Sequence, residues 1–176
     1  MRIETGLSGV AVRPWRVEDI PTLPGHADNR KIWANLRDAF PHPYRPEDAE
    51  AFVTRVLASD PVTNFAIEVD GEAVGGVGFT LGTDIERIGA EMGYWLAEPY
   101  WGRGIMGAVV RATVRWGVAR FGLARVFAVP FAENRGSARV LEKAGFQLEG
   151  VMRRSAIKDG RIVDQLLYAY LPEAGS

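Results

Sequence analysis

The chain has no cysteine and only two histidines, His26 and His42. The first absence excludes disulfides, thiolate nucleophiles and Cys-ligated zinc, and the second leaves too little imidazole for a His-rich metal site. No run of about 18 apolar residues occurs, so no membrane-spanning helix is expected. The opening Met1-Arg2-Ile3-Glu4-Thr5-Gly6 lacks the apolar core of a signal peptide. Both features are compatible with a cytoplasmic protein. An excess of one charge is also missing: 21 Lys and Arg stand against 22 Asp and Glu, a net charge of −1. Nothing in that balance draws the chain to nucleic acid. What remains is 176 residues at 47% hydrophobic content, enough for a core. The whole stretch 1–176 reads as a single domain, with no repeat, low-complexity run or linker.

Periodicity gives the element order. Residues 10–15 read as a short strand, and 30–36 as a helical segment delayed by Pro21 and Pro24. Two prolines flank His42, so 40–44 is an aromatic loop. Pro46, Glu47 and Asp48 open a second helix, with Pro near its start and acids in the first turn. The period then changes to two. Residues 64–69 and 73–80 pair around Asp70-Gly71, and 89–96 form another strand. Glu68 reads as an outward-facing strand residue. A long amphipathic helix covers 105–121, a strand follows at 124–129, and a short helix at 137–144 is closed by Gly145. A last hairpin, 146–157 with 161–171, turns at Lys158-Asp159-Gly160. The order β-α-α-β-β-β-α-β-α-β-β predicts an α+β domain with a mixed, mostly antiparallel sheet.

Between the strand at 89–96 and the long helix lies Tyr100-Trp101-Gly102-Arg103-Gly104-Ile105-Met106-Gly107. A glycine turn leading into a helix aims several N–H groups, and the helix's positive end, at one point, which suits a diphosphate. The glycines fit a bare Gly-x-Gly-x-x-Gly spacing, but too little chain follows for a dinucleotide fold. A P-loop is excluded, because no Lys and no hydroxyl residue ends the turn. The alternative is a tight turn with glycines for steric reasons alone.

The order and three stretches resemble the GNAT N-acetyltransferase superfamily, in its RimJ/RimL-like branch, whose known members acetylate the N-termini of ribosomal proteins. Ala90-Glu91-Met92-Gly93-Tyr94-Trp95-Leu96 looks like that branch's fourth strand. Tyr100 to Met106 looks like its acetyl-CoA pyrophosphate loop. Asn134-Arg135-Gly136-Ser137, then Val140-Leu141-Glu142-Lys143-Ala144-Gly145-Phe146, looks like its second cofactor motif. The likeness covers nearly the whole chain. It implies a sheet of six or seven strands flanked by about four helices, and an acetyl-CoA-dependent N-acetyltransferase that needs no metal. Acetyl-CoA is then a co-substrate, and the acceptor is the primary amine of a protein N-terminus or a small molecule. A homodimer stays open, and neither nucleic acid nor membrane is implied as a partner. The rival reading is a module on the same fold that binds acyl-CoA or a protein without turnover.

The resemblance also distributes roles. The superfamily's loop is written Gln/Arg-x-x-Gly-x-Gly/Ala; Trp101 and Met106 depart from it, as they often do in this branch. Trp101, Gly102, Arg103, Gly104, Ile105 and Met106 would hold the diphosphate, largely through main-chain groups. Arg103 adds a charge or is simply solvated. Main-chain groups of Trp95, Leu96 and Ala97 would pair with the pantetheine arm, and Asn134 would position it. Glu91 is the first choice of base; the alternative is a structural carboxylate paired with an arginine such as Arg87. Many relatives use a Tyr as acid, and Leu141 stands at that place. Ser137 is then the candidate acid, although it also looks like a helix N-cap. Arg139 and Lys143 face either the nucleotide phosphates or solvent. Trp33, Asn35, Phe40, His42 and Tyr44 would line the acceptor's mouth or plug the core, and Asp38 is a candidate amine ligand.

Overall fold

The three central apolar runs become neighbouring strands in the computed structural model, which describes residues 1–173. The elements are β1 (Ile3–Glu4), β2 (Val10–Pro14), α1 (Leu23–Ala27), α2 (Arg30–Trp33), α3 (Pro46–Leu57), β3 (Asn64–Val69), β4 (Glu72–Leu81), β5 (Gly89–Leu96), α4 (Ile105–Phe121), β6 (Arg125–Ala128), α5 (Arg135–Lys143), β7 (Gln147–Lys158) and β8 (Arg161–Tyr170). They form one sheet in the order β1-β2-β3-β4-β5-β6-β8-β7. Every pairing is antiparallel except β5 with β6. This is the expected α+β class.

Two counts differ. The sheet has eight strands among the described residues, because Ile3 and Glu4 pair with Val12 and Ala11. Two residues carry no readable alternation. The strand that resembled a family's fourth is therefore β5. The α-helices number five among the described residues instead of about four, because Leu23–Ala27 forms its own short helix ahead of the segment expected at 30–36, which itself ends at Trp33. α1 ends at Ala27, and Asn29 caps α2 by accepting the Lys31 N–H at 2.8 Å.

Strand alternation divides the core. Ala90, Met92 and Leu96 of β5 face a large cluster with Val109, Val110 and Val114 of α4 and Leu141 of α5. Trp95 packs instead against a smaller cluster of Trp15, Leu23, Tyr44 and Val53, beneath α1 and α3. Because successive side chains take opposite faces, Glu91 shares the α1–α3 face with Trp95, while Tyr94 lies on the α4–α5 face. Gly76 permits this packing, since a Cβ there would sit 2.8 Å from Trp95 Nε1.

Glu68 does not face outward. It is 6% exposed and accepts from Arg2 at 2.7 Å and from the buried Arg13, which also forks onto Asp19 at 2.8 Å. β3 is buried on both faces from Phe65 to Val69, and a carboxylate there needs a cation. Burial pushes the Glu68 carboxyl up, but the hydrogen bonds from Arg2 and Arg13 outweigh it and hold it below its usual 4.5. The pair therefore stabilises the fold above that value, and the contribution is lost as pH falls through the lower folded value. Glu68→Gln should cost about 1.5–3 kcal/mol at pH 7, measured by urea unfolding. The difference from wild type should shrink in acid. Equal stability at pH 7 would mean that Asp19 alone satisfies Arg13.

The β7–β8 turn reaches back over the α1–α3 face. Lys158 is 5% exposed, pairs with Asp38 at 2.7 Å and stands 3.7 Å from the centre of the Trp33 ring. Arg30 pairs with Asp159 at 2.6 Å. The hairpin is thereby tied to α2 and the loop after it.

Candidate active site

β5 and β6 run parallel for three residue pairs only, Gly89 with Arg125, Ala90 with Val126 and Glu91 with Phe127. β6 then ends at Ala128, while β5 continues to Leu96. The strands part, leaving a notch whose wall is the free edge of β5.

Which groups line that edge follows from the pairing on the other side. Gly82 N–H donates to Gly89 O at 2.8 Å, and Ala97 N–H donates to Val74 O at 2.9 Å. The register between them is unbroken, so odd-numbered residues of β5 turn their main-chain groups toward β4. Trp95 and Ala97 are thus occupied by β4 and do not face the notch. Tyr94 and Leu96 do. The Leu96 carbonyl is already taken by Trp101 Nε1 at 2.7 Å. What the notch offers a strand-like arm is the N–H and C=O of Tyr94 and the N–H of Leu96. Sequence alone leaves the phase of this alternation open, so it does not tell Tyr94 from Trp95.

At the top of β5 a 3-10 turn, Glu98–Tyr100, leads into the glycine loop. Gly102 and Gly104 have φ of +74° and +76°, the left-handed region that favours glycine. Gly104 is the N-cap of α4, and Ile105 anchors the helix start by burying its side chain in the large core. Among the described residues the N–H groups of Gly102, Arg103 and Gly104 have no partner. Those of the first α4 turn, including Ile105 and Met106, have none by helix geometry. A Cβ added at Gly102 or Gly104 would meet nothing within 4 Å, so the concavity is open to a ligand. Trp101 is more than a tolerated departure, since its indole ties this loop to β5. Arg103 lies 5.5 Å from the Tyr100 ring and makes no ion pair among the described residues.

The opposite wall comes from α5. It begins at Arg135, two residues before the expected start, and its N-cap is Asn134, whose Oδ1 accepts the Ser137 N–H at 3.0 Å. Ser137 is therefore not the cap. Its Oγ lies 2.7 Å from the Tyr94 hydroxyl. Burial pushes that phenol up to about 12, with the Ser137 bond opposing it. The cap occupies the Asn134 carbonyl and leaves its amide NH2 without a partner among the described residues. Leu141 is fully buried in the large core. Arg139, with Arg135 and Glu142, lines a concavity of about 330 Å³ outside α5; a second, of about 540 Å³, is lined by Arg13, Asp19 and Glu72. Neither includes the notch residues. Asn134→Ala should lower stability by about 0.5–2 kcal/mol, whereas Ser137→Ala should leave the melting temperature nearly unchanged. The reverse order would return the cap to Ser137.

Glu91 is one-quarter exposed, and its Oε1 lies 2.6 Å from Arg37 Nη2. Arg87, the partner anticipated from sequence, donates to Asp84 O instead. Arg37 itself is 70% exposed and free to swing. Phe40 meets Trp95 edge to face with ring centres 5.5 Å apart and lies 5.1 Å from the Tyr44 ring. Tyr44 is buried in the small core, where desolvation pushes its phenol up to about 12. His42 lies 5.7 Å from the Trp33 ring and 3.2 Å from Asp28. Asn35 donates to Lys31 O, closing α2. Asn35 and Tyr44 thus serve the fold, and Asp38 is engaged by Lys158. Phe40 packs on Trp95, which shares a face of β5 with Glu91, while Trp33 packs against His42 and Lys158. Among the described residues no three His, Asp or Glu gather as a metal site, and no helix is long and apolar enough to cross a membrane.

Comparisons with known proteins bear on the family and the fold. The family model described as acetyltransferase (GNAT) domain matches residues 10–147. The uncharacterised N-acetyltransferase YoaA of Bacillus subtilis is 36% identical over 98 residues, 56% of this chain and 55% of that protein. The putative ribosomal N-acetyltransferase YdaF of the same organism is 33% identical over 82 residues, 47% of this chain and 45% of that protein. The chain thus spans about half the length of these curated relatives. The structure of Mycobacterium smegmatis RimJ in complex with CoA-disulfide superposes with a TM-score of 0.84 at 26% identity, covering 98% of this chain and 85% of that one.

Proposed function

We propose that this chain, which belongs to the GNAT acetyltransferase family, moves an acetyl group from acetyl-CoA to a primary amine by direct attack within a ternary complex. The observation that carries the reading is the notch itself, where the free edge of β5 meets unpartnered amides at the N-terminus of α4. That arrangement fits a diphosphate followed by an amide-bearing arm. Acetyl-CoA supplies an already activated thioester.

The chain's own residues then have few tasks. The amides from Gly102 to Met106 hold the diphosphate, and Arg103 adds charge. Tyr94 and Leu96 pair with the arm, and the free amide of Asn134 orients it. Glu91 Oε1 takes the proton of the acceptor's ammonium, for which Arg37 must first give way. Ser137 Oγ returns a proton on the other face of β5. Phe40, Trp33 and Trp95 border the acceptor's approach, with His42 behind Trp33.

For the acceptor, the description of YdaF as a putative ribosomal N-acetyltransferase and the resemblance to the RimJ/RimL-like branch support a protein N-terminal α-amine, and a small-molecule amine is the other class. Either is compatible with a cytoplasmic setting. The Arg37–Glu91 pair is the one observation favouring a module without turnover, because it masks the base. Thiol release from acetyl-CoA, measured against peptides, amino acids, polyamines and aminoglycosides, separates these readings. Release with peptides bearing a free N-terminus, and not with their blocked forms, is expected. Coenzyme binding without release for any amine would favour the module.

A further inference from the structure

We propose that Tyr94 is a positioning residue for proton return to the coenzyme sulfur: its phenol donates to Ser137 Oγ and turns the Ser137 hydrogen toward the notch. The inference rests on the reading of Ser137 as the thiolate's acid. Three observations carry it. The two hydroxyls are 2.7 Å apart, while the Ser137 carbonyl, at 3.5 Å, is the weaker partner of Tyr94. Asn134 performs the capping, so Ser137 Oγ has no duty to the helix backbone. Finally, the pair joins β5 to α5 beside the main-chain groups of Tyr94 that face the notch.

Two hydroxyls in contact share one hydrogen and leave the other free. A phenol is the stronger acid, with a reference pKa of about 10, so it is the donor. Tyr94 therefore keeps one orientation, and the free hydrogen is that of Ser137. Burial holds the phenol up at about 12, which keeps Tyr94 a donor across the working range. Ser137 Oγ delivers its proton to sulfur as the S–C bond breaks, and recovers one from water; Tyr94 keeps its own. The acceptor nitrogen meanwhile gives up two protons: the ammonium's passes through Glu91 to water before attack, a second passes to Glu91 as the amide forms, and one proton reaches sulfur from Ser137.

This Tyr comes from a strand, whereas the position that resembled the family's tyrosine holds Leu141 in the core. A phenylalanine at 94 would fill the same space beside the large cluster, which makes Tyr94→Phe a clean deletion of one oxygen.

The test compares Tyr94→Phe, Ser137→Ala and the double variant. Tyr94→Phe should lower kcat by about tenfold, below the 10²–10⁴ of a lost acid. Its KM for acetyl-CoA and its melting temperature should stay at wild-type values. A second readout needs no turnover: ultraviolet thiolate absorbance of protein-bound CoA should titrate at higher pH in both single variants. The double variant should be no slower than Ser137→Ala, as for residues acting in series. Wild-type kcat and an unshifted titration in Tyr94→Phe, beside a slow Ser137→Ala, would overturn the role of Tyr94 and leave that of Ser137. A double variant slowed by the product of both effects would overturn the coupling. Wild-type kcat in Ser137→Ala would instead remove the reading on which the inference rests.

Discussion

Glu91→Gln is expected to lower kcat/KM by about 10²–10⁴, the usual contribution of a positioned base. The pH profile should change with it. Without a carboxylate, only acceptor already deprotonated reacts. The variant's kcat/KM should then rise about tenfold per pH unit until the amine's own pKa, about 8 for an α-amino group. The structure adds a companion. Arg37 covers Glu91 Oε1 at 2.6 Å, yet is mostly exposed. A cationic acceptor can replace one positive charge with another at that oxygen. Arg37→Ala should therefore keep turnover while Glu91→Gln loses it. Equal loss in both would mean that the ion pair only holds the loop after α2 in place. Full activity with the parental profile in Glu91→Gln would make Glu91 structural.

Gly104→Val is expected to remove coenzyme binding, with affinity down more than about 100-fold. A β-branched residue at φ +76° is strained by roughly 1–3 kcal/mol. The loop escapes by turning its amides away from the point they share. The fold should survive, because a Cβ there meets no protein atom within 4 Å. Gly104→Ala separates the two costs, since it adds the strain with less bulk and should weaken binding less. A folded Gly104→Val protein with wild-type affinity would remove the loop from the binding site.

Much of this site was legible in the chain. The switch from period three-to-four to period two located β3, β4 and β5, and the positive-φ glycines before α4 were written as Gly102 and Gly104. Helix termini were harder. α5 starts at Arg135 because Asn134 caps it, and from sequence Ser137 reads equally well as a cap. The cost fell on function, since a capping Ser137 has no free hydroxyl. The burial of Glu68 is hidden from the sequence for a different reason. Alternation assigns a face, but it does not say that Arg13 waits on that face to pair with it. The phase of the strand edge is not written in β5 itself: Leu96 faces the notch while Trp95 and Ala97 are spent on β4, and that phase is set by Gly82 and Val74, a partner strand's property. The Tyr94–Ser137 contact joins residues 43 apart, and no local pattern carries it. The Arg37–Glu91 and Lys158–Asp38 pairs are invisible for the same reason, because the loop after α2 meets β5 and the β7–β8 hairpin only in the folded chain.

Calorimetric titration of acetyl-CoA into the wild-type chain bears most directly on the notch as a coenzyme site. One saturable site per chain is expected, retained in Glu91→Gln and lost in Gly104→Val. A folded wild-type chain that binds no acetyl-CoA, or a Gly104→Val chain that binds it unchanged, would contradict the assignment.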